Sequence, residues 1–169
     1  MSNDSGRVVE LSLQIADDIN ATDCPEQASF AAWVAAVFET IDRAGIKPDN
    51  DARGSLVVRI VAAAESAALN REFRGKDMPT NVLAFPAGPP LLPEQEPEEH
   101  EFGDLVICLE VATQEARKQA KPLSQHLAHL TVHGTLHLLG LDHQGDPEAE
   151  HMEGLETLIL KGLGMPDPY

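Results

Sequence analysis

Residues 133–143 read His-Gly-Thr-Leu-His-Leu-Leu-Gly-Leu-Asp-His, and this stretch predicts a helix that ends at Gly140. His133 and His137 lie four positions apart, so a helix presents their rings as neighbours on one face. Both imidazoles can then reach a single zinc ion at the usual Zn–N distance of about 2.0–2.1 Å. The turn that Gly140 permits brings His143 back towards the same ion. Three histidines leave the fourth tetrahedral position for water, as in catalytic zinc sites, although they would also suit nickel or copper.

Two other interpretations of this stretch compete with the metal site. A lone pair of histidines four residues apart is most often a surface feature of an ordinary helix, but here a helix-ending glycine and a third histidine follow it. The spacing also overlaps the metzincin protease signature, in which glutamate follows the first histidine as general base. Gly134 stands at that position here, which disfavours amide hydrolysis. Asp142 could orient a ligand imidazole, and a simple turn-forming role fits it equally well.

Composition limits the class of protein. The chain has 169 residues, of which 12 are basic and 28 acidic, for a formal net charge of -16. Hydrophobic residues make up 43%, which excludes a disordered chain and favours one domain over residues 1–169. The longest apolar run, residues 30–38, is too short to cross a bilayer, and the first residues lack the pattern of a secretory signal. Cys24 and Cys108 show no metal-type or redox spacing, so we expect a cytoplasmic protein without a membrane segment.

Local patterns predict four short strands and five helices. The strands are expected at residues 8–15, 56–61, 81–85 and 105–109, and the helices at 30–44, 63–72, 110–121, 124–139 and 148–163. Residues 86–101 contain five prolines and five glutamates, which is typical of a solvated loop within the domain. The predicted fold class is therefore α+β, with a small sheet of about four strands packed against helices and a zincin-like metal helix.

The chain resembles the YbeY family of bacterial endoribonucleases and ribosomal RNA maturation factors. The resemblance includes residues 133–143 and covers most of the chain from Leu56 onward. The other matching blocks, in the family's order and spacing, are residues 69–77, 79–86, 103–108, 150–156 and 163–169. The resemblance implies a zinc-binding α+β fold that cleaves single-stranded RNA. It also implies processing of the 3′ end of small-subunit ribosomal RNA and a part in ribosome quality control.

The resemblance also implies roles for particular residues. By position, His133, His137 and His143 correspond to the ligands of one zinc ion per chain, and Arg74 corresponds to a functionally important arginine. Arg74 lies in the one basic stretch of this acidic chain, and a guanidinium fits a phosphate with two parallel hydrogen bonds. We therefore take Arg74 and His137 as candidate catalytic residues.

Arg59 and Lys76, from the same basic stretch, are candidate substrate-binding residues. Arg59 alternates with apolar neighbours in its predicted strand, so it either lines the same groove as the metal helix or simply faces solvent. Aromatic residues that could stack RNA bases are few, at 4% of the chain. We therefore expect weak affinity for single-stranded ribosomal RNA, supplemented by docking on the small ribosomal subunit or an associated protein.

Three functions remain open at this point. The first is a zinc-dependent endoribonuclease acting on ribosomal RNA. The second is a non-catalytic ribosome-assembly factor whose metal is mainly structural. The third is a metalloprotease or another hydrolase, which the glycine at position 134 disfavours.

Overall fold

The computed structural model of the chain describes residues 9–47, 54–87, 100–141 and 145–169. These ranges contain four strands, five α-helices and a 3-10 helix at Ala21–Asp23. The strands are β1 (Val9–Ile15), β2 (Gly54–Val61), β3 (Val82–Pro86) and β4 (His100–Cys108). The helices are α1 (Gln27–Arg43), α2 (Ala63–Arg74), α3 (Leu109–Lys118), α4 (Leu123–Leu138) and α5 (Asp146–Gly162).

The four strands form one sheet in the order β1-β2-β4-β3. β1, β2 and β4 run parallel, and Val58 of β2 lies opposite both Leu13 of β1 and Leu105 of β4. β3 is antiparallel to β4 and forms one edge, with Leu83 opposite Val106. Parallel strands need crossover connections, and the helices that follow β1 and β2 supply them.

Side chains alternate between the two faces of the sheet, and each face has its own helices. On one face, Val58 and Ile60 join the main hydrophobic core together with buried residues of α1, α4 and α5. On the opposite face, Val61 and Val106 form a smaller cluster against Leu69 of α2. The period of two along a strand therefore decides which residues can meet α4 and which meet α2.

α4 is the most enclosed helix and packs directly on the sheet. Leu127, Val132 and Leu136 have no exposed surface. Gly134 allows the close approach, because a Cβ at this position would lie 2.7 Å from the side chain of Leu105 and 3.3 Å from that of Val82. The helix that carries the histidines is therefore held against β3 and β4.

The predicted fold class is confirmed: the described chain is a mixed α+β structure with a four-stranded sheet. Gly140 also has the left-handed conformation expected after α4, with φ of 85°. The loop bounds were wrong, because Pro86 ends β3 and residues 100–101 begin β4. Pairing with β2, in which Gly54 lies opposite His100, extends β4 into this polar stretch. Residues 88–99 of the predicted loop lie outside the described residues. None of the described helices is long and apolar enough to cross a membrane.

Gly103 of β4 is expected to tolerate no side chain. Its φ is +128°, a conformation that favours glycine, and a Cβ would overlap the carbonyl oxygen of Phe85 on β3. We expect Gly103→Ala to lower the free energy of unfolding by about 3 kcal/mol or more, measured by urea denaturation. Gly154→Ala is the control, because an added Cβ in α5 meets nothing within 4 Å and should stabilise by roughly 0.5–1 kcal/mol. Equal effects of the two substitutions would contradict the strain at Gly103.

Candidate metal centre

Four histidines occupy one face of α4, at spacings of three, four and four residues. They are His126, His129, His133 and His137. Successive ring centroids are 6.1, 6.4 and 4.6 Å apart, so the imidazoles form a continuous row along the helix. The row ends at the pair that the sequence predicts as metal ligands.

The predicted ligands His133 and His137 have converging ring nitrogens. Their Nε2 atoms are 3.1 Å apart. Two imidazole nitrogens bound to one tetrahedral zinc ion are separated by about 3.4 Å, given Zn–N distances of ~2.0–2.1 Å. The separation in the structure is close to this value, so the spacing of the two nitrogens is compatible with a shared ion.

The carboxylate of Glu156 on α5 holds the other nitrogen of His133. Nδ1 of His133 donates a hydrogen bond to Oε1 of Glu156. In the neutral ring with its proton on Nδ1, Nε2 carries no proton and is able to bind a metal. A carboxylate on the far nitrogen of a histidine is a common support for zinc ligands, since it fixes the tautomer and raises the basicity of the ring.

Glu156 has no exposed surface, and its neighbours favour the ionised form of its carboxyl group. Burial alone would raise the pKa of this carboxyl, but contacts from His129, His133 and Tyr169 lower it to about 2. Nε2 of His129 lies 3.6 Å from Oε2, and the hydroxyl of Tyr169 donates to the same oxygen. Burial and the charge of Glu156 raise the pKa of Tyr169, so the phenol keeps its proton and remains a donor.

A second histidine–carboxylate pair lies at the other end of the row. His126 is 3% exposed, and its Nε2 is 2.6 Å from Oε2 of Glu115 on α3. Glu115 also accepts hydrogen bonds from the side-chain amide of Asn81, at 3.2 Å to each oxygen. Burial lowers the pKa of His126, and burial likewise lowers that of Lys121 nearby.

The three basic side chains predicted to contact the substrate lie in different parts of the structure. Arg74 is the last residue of α2 and is exposed, and Lys76 is exposed just after Gly75, which ends the helix at φ 69°. Arg59 lies on the face of the sheet that α2 covers, opposite to α4, and its Nε is 2.9 Å from Glu65. The structure therefore does not bring Arg59 together with His133 and His137.

Asp142 and His143 lie outside the described residues, so the third predicted ligand and its neighbour are not part of the geometry above. Within the described ranges, no three His, Cys, Asp or Glu residues are placed to hold a metal ion. The described residues thus supply two of the three predicted ligands, His133 and His137, and the support of one of them.

Comparison with known proteins identifies the family. The family model described as Endoribonuclease YbeY matches residues 14–164. This chain belongs to the YbeY family. Two relatives named Endoribonuclease YbeY are those of Alkalilimnicola ehrlichii, 51% identical over 86% of this chain and 82% of the relative, and of Chromohalobacter salexigens, 48% identical over 95% and 97%. The solution structure of the Thermotoga maritima protein TM1509 shares the fold, with a TM-score of 0.55 and 19% identity over 93% of this chain and 92% of that one.

Sequence reasoning missed three groups of this YbeY-family site: Glu115, Glu156 and Tyr169. One of them has a signal in the sequence. Buried positions of α5 recur at 152, 155, 156, 159 and 160, and position 156 is the only charged residue among these five. An acid on the apolar stripe of a helix indicates a buried partner. Nothing comparable marks Tyr169, which reaches the site from beyond α5.

The buried His126 should make stability depend on pH. Its pKa in the folded protein is below the ordinary value of 6.5, so the unfolded chain binds a proton there more readily. The free energy of unfolding should therefore fall as pH drops below about 6.5, by at most about 1.4 kcal/mol per pH unit. Glu156 does not contribute in this window, because its stabilisation is lost only below its ordinary value of 4.5.

Urea denaturation of metal-free protein between about pH 5 and pH 7 tests this expectation. His126→Gln should flatten the dependence of stability on pH, while His151→Gln, an exposed position on α5, should leave it unchanged. Parallel curves for the wild type and His126→Gln would show that His126 does not titrate as its burial requires.

Proposed function

We propose that this chain is a zinc-dependent endoribonuclease that cleaves single-stranded RNA in the maturation of the 3′ end of small-subunit ribosomal RNA and in ribosome quality control. One observation carries the proposal: Nε2 of His133 and Nε2 of His137 converge to 3.1 Å while Glu156 holds the proton of His133 on Nδ1. Membership of the YbeY family supports an activity on RNA. An ordinary surface pair of histidines has no need of a buried carboxylate.

His133 and His137 would hold the ion together with His143 of the same sequence motif. When bound, zinc supplies Lewis-acid polarisation of a phosphate oxygen and a lowered pKa for water. The residues of the chain do the rest of the positioning. Glu156 keeps His133 in one tautomer, and the packing of α4 on β3 and β4 keeps the helix from moving relative to the sheet.

Arg74 is our candidate for binding the phosphate that is cleaved. A guanidinium donates two parallel hydrogen bonds to phosphate oxygens and stabilises the charge that develops on them. Arg74 is exposed at the end of α2, where a substrate can reach it. Lys76 follows two residues later as a second cation for the RNA backbone.

The charge of the chain favours a docked substrate over tight free binding. With a formal net charge of -16, the protein repels a polyanion at long range, so affinity for isolated RNA should be weak. We therefore propose that the small ribosomal subunit or an associated protein brings the RNA to the site. A cytoplasmic location agrees with this partner, and Cys24 and Cys108 are both free thiols, as is usual in a reducing compartment.

The structure adds a physical reason against the protease alternative. Gly134 faces the sheet, and a side chain there would enter the contact with Leu105 and Val82. A glutamate at this position would have to displace the side chain of Leu105, which has no exposed surface, and would bring a carboxyl group into the apolar contact with the sheet. The close packing of Gly134 on the sheet therefore disfavours the general base of the metzincin mechanism at this position.

The proposed activity is tested by incubating zinc-loaded protein with single-stranded and duplex RNA beside the His137→Ala variant. We expect cleavage of the single strand, little cleavage of the duplex, and loss of both zinc and cleavage in His137→Ala. His151→Ala, an exposed histidine on α5, is the matched control and should retain both. Bound zinc without cleavage by the wild type would favour the non-catalytic assembly factor.

Arg74→Ala separates the handling of phosphate from metal binding. Zinc content and melting temperature should stay near the wild type, while cleavage falls by on the order of 10²-fold or more, the usual loss when one preorganised donor is removed. Arg74→Lys should restore only part of the rate, because a point charge lacks the two-pronged geometry. Arg43→Ala, which changes the last residue of α1 in the same way, is the control. Unchanged cleavage at equal zinc occupancy would remove Arg74 from the site.

A further inference from the structure

The segment after α5 returns to the candidate metal centre. Gly164 has a φ of +78°, which turns the chain, and the backbone N–H of Met165 donates to the carbonyl of Leu160 at 2.9 Å. Further along, the carboxylate of Asp167 accepts the hydroxyl of Thr157 at 3.4 Å and the backbone N–H of Tyr169 at 3.0 Å. These contacts direct Tyr169 back along α5.

Tyr169 makes two separate contacts at the end of this segment. Its hydroxyl donates to Oε2 of Glu156, and its ring lies edge-on to His129 with centroids 5.4 Å apart at 85°. The residue is 61% exposed, so burial of its ring does not account for its position. The hydrogen bond to a carboxylate with no exposed surface does, because such a bond is among the stronger ones in proteins.

Two imidazoles flank the single carboxylate of Glu156, and they are not equivalent. His133 bonds Oε1, whereas Nε2 of His129 lies 3.6 Å from Oε2, beyond a good hydrogen bond. Oε2 is the oxygen that Tyr169 occupies. Without the phenol, the carboxylate is free to rotate so that it accepts a hydrogen bond from His129, and His133 would lose the bond that fixes its tautomer.

We propose that Tyr169 is a positioning residue for the metal centre: its phenol fixes the orientation of Glu156 and thereby keeps the Nδ1–H of His133 hydrogen-bonded to that carboxylate. The part of this inference that concerns zinc binding rests on the proposed function. The tautomer of His133 can be measured with no metal present, so the two proposals can fail separately. In this proposal Tyr169 acts through its hydrogen bond to Glu156.

The test compares wild type with Tyr169→Phe, which keeps the ring beside His129 and removes only the hydroxyl. Zinc affinity is measured by competition with a chelator, and the tautomer of His133 by nitrogen-15 NMR of metal-free protein. We expect the Nδ1–H tautomer to predominate in the wild type and to become mixed in the variant. Zinc affinity should fall roughly 10-fold, at the lower end of the usual effect of losing a support for a metal ligand.

Thr157→Val is the matched control, because it also deletes a hydroxyl that bonds a carboxylate but leaves Glu156 untouched. It should change neither the zinc affinity nor the tautomer. Unchanged affinity and tautomer in Tyr169→Phe would overturn the proposal, and so would an equal loss in Thr157→Val, which would assign the effect to attachment of the segment. If wild-type protein binds no zinc, the proposed function fails and the NMR comparison alone decides the role of Tyr169.

Discussion

The carboxylate of Glu156 is the group on which the centre of this molecule depends. It has no exposed surface, and an ionised group in that position costs several kcal/mol unless it is paired. His129 and His133 from α4 and Tyr169 from beyond α5 surround it and keep its pKa near 2. The contacts of this one buried charge therefore connect α4, α5 and the following segment, and the connection is lost when its hydrogen-bond donors are removed.

The position of this charge also suits an anionic substrate. Glu156 lies on the Nδ1 side of His133, whereas the nitrogen that faces His137 is Nε2. The imidazole ring thus separates the carboxylate from the side on which a phosphate would approach. A negative group placed there increases the basicity of the ligand without presenting its charge directly to RNA. Glu156 thus supports His133 without placing its own charge on the side of the ring that faces His137.

Much of the site can be predicted because its signals are local. The spacing of His133 and His137 places their rings together on any regular helix, and Gly140 ends that helix with the left-handed conformation that glycine favours. The alternating and helical periods likewise predict the α+β class and the approximate positions of the nine strands and α-helices in the described ranges.

Long-range contacts are different. Glu156 meets His133 across 23 residues and Tyr169 across 13, and only packing of α5 on α4 brings them together. Arg59 shows the same limit. The alternation along its strand places its side chain on the other face of the sheet from its apolar neighbours, but the sequence does not show which face α4 covers.

The carboxylates of two neighbouring helices explain how α4, which is enclosed by the core, can carry four histidines. Each flanking helix contributes one carboxylate to the row, Glu115 of α3 to His126 and Glu156 of α5 to His133. A buried imidazole nitrogen without a partner costs on the order of 1–3 kcal/mol, and each acid removes this cost for one nitrogen of the ring that it contacts. Nδ1 of His126 and Nδ1 of His129 remain without a hydrogen-bond partner among the described residues. The side of α4 that faces the sheet includes Gly134, which packs on Leu105. The helix is thus held by close packing against the sheet and by two carboxylates, the buried Glu156 and the partly exposed Glu115. The predicted ligands project from an element that cannot shift without breaking one set of contacts or the other.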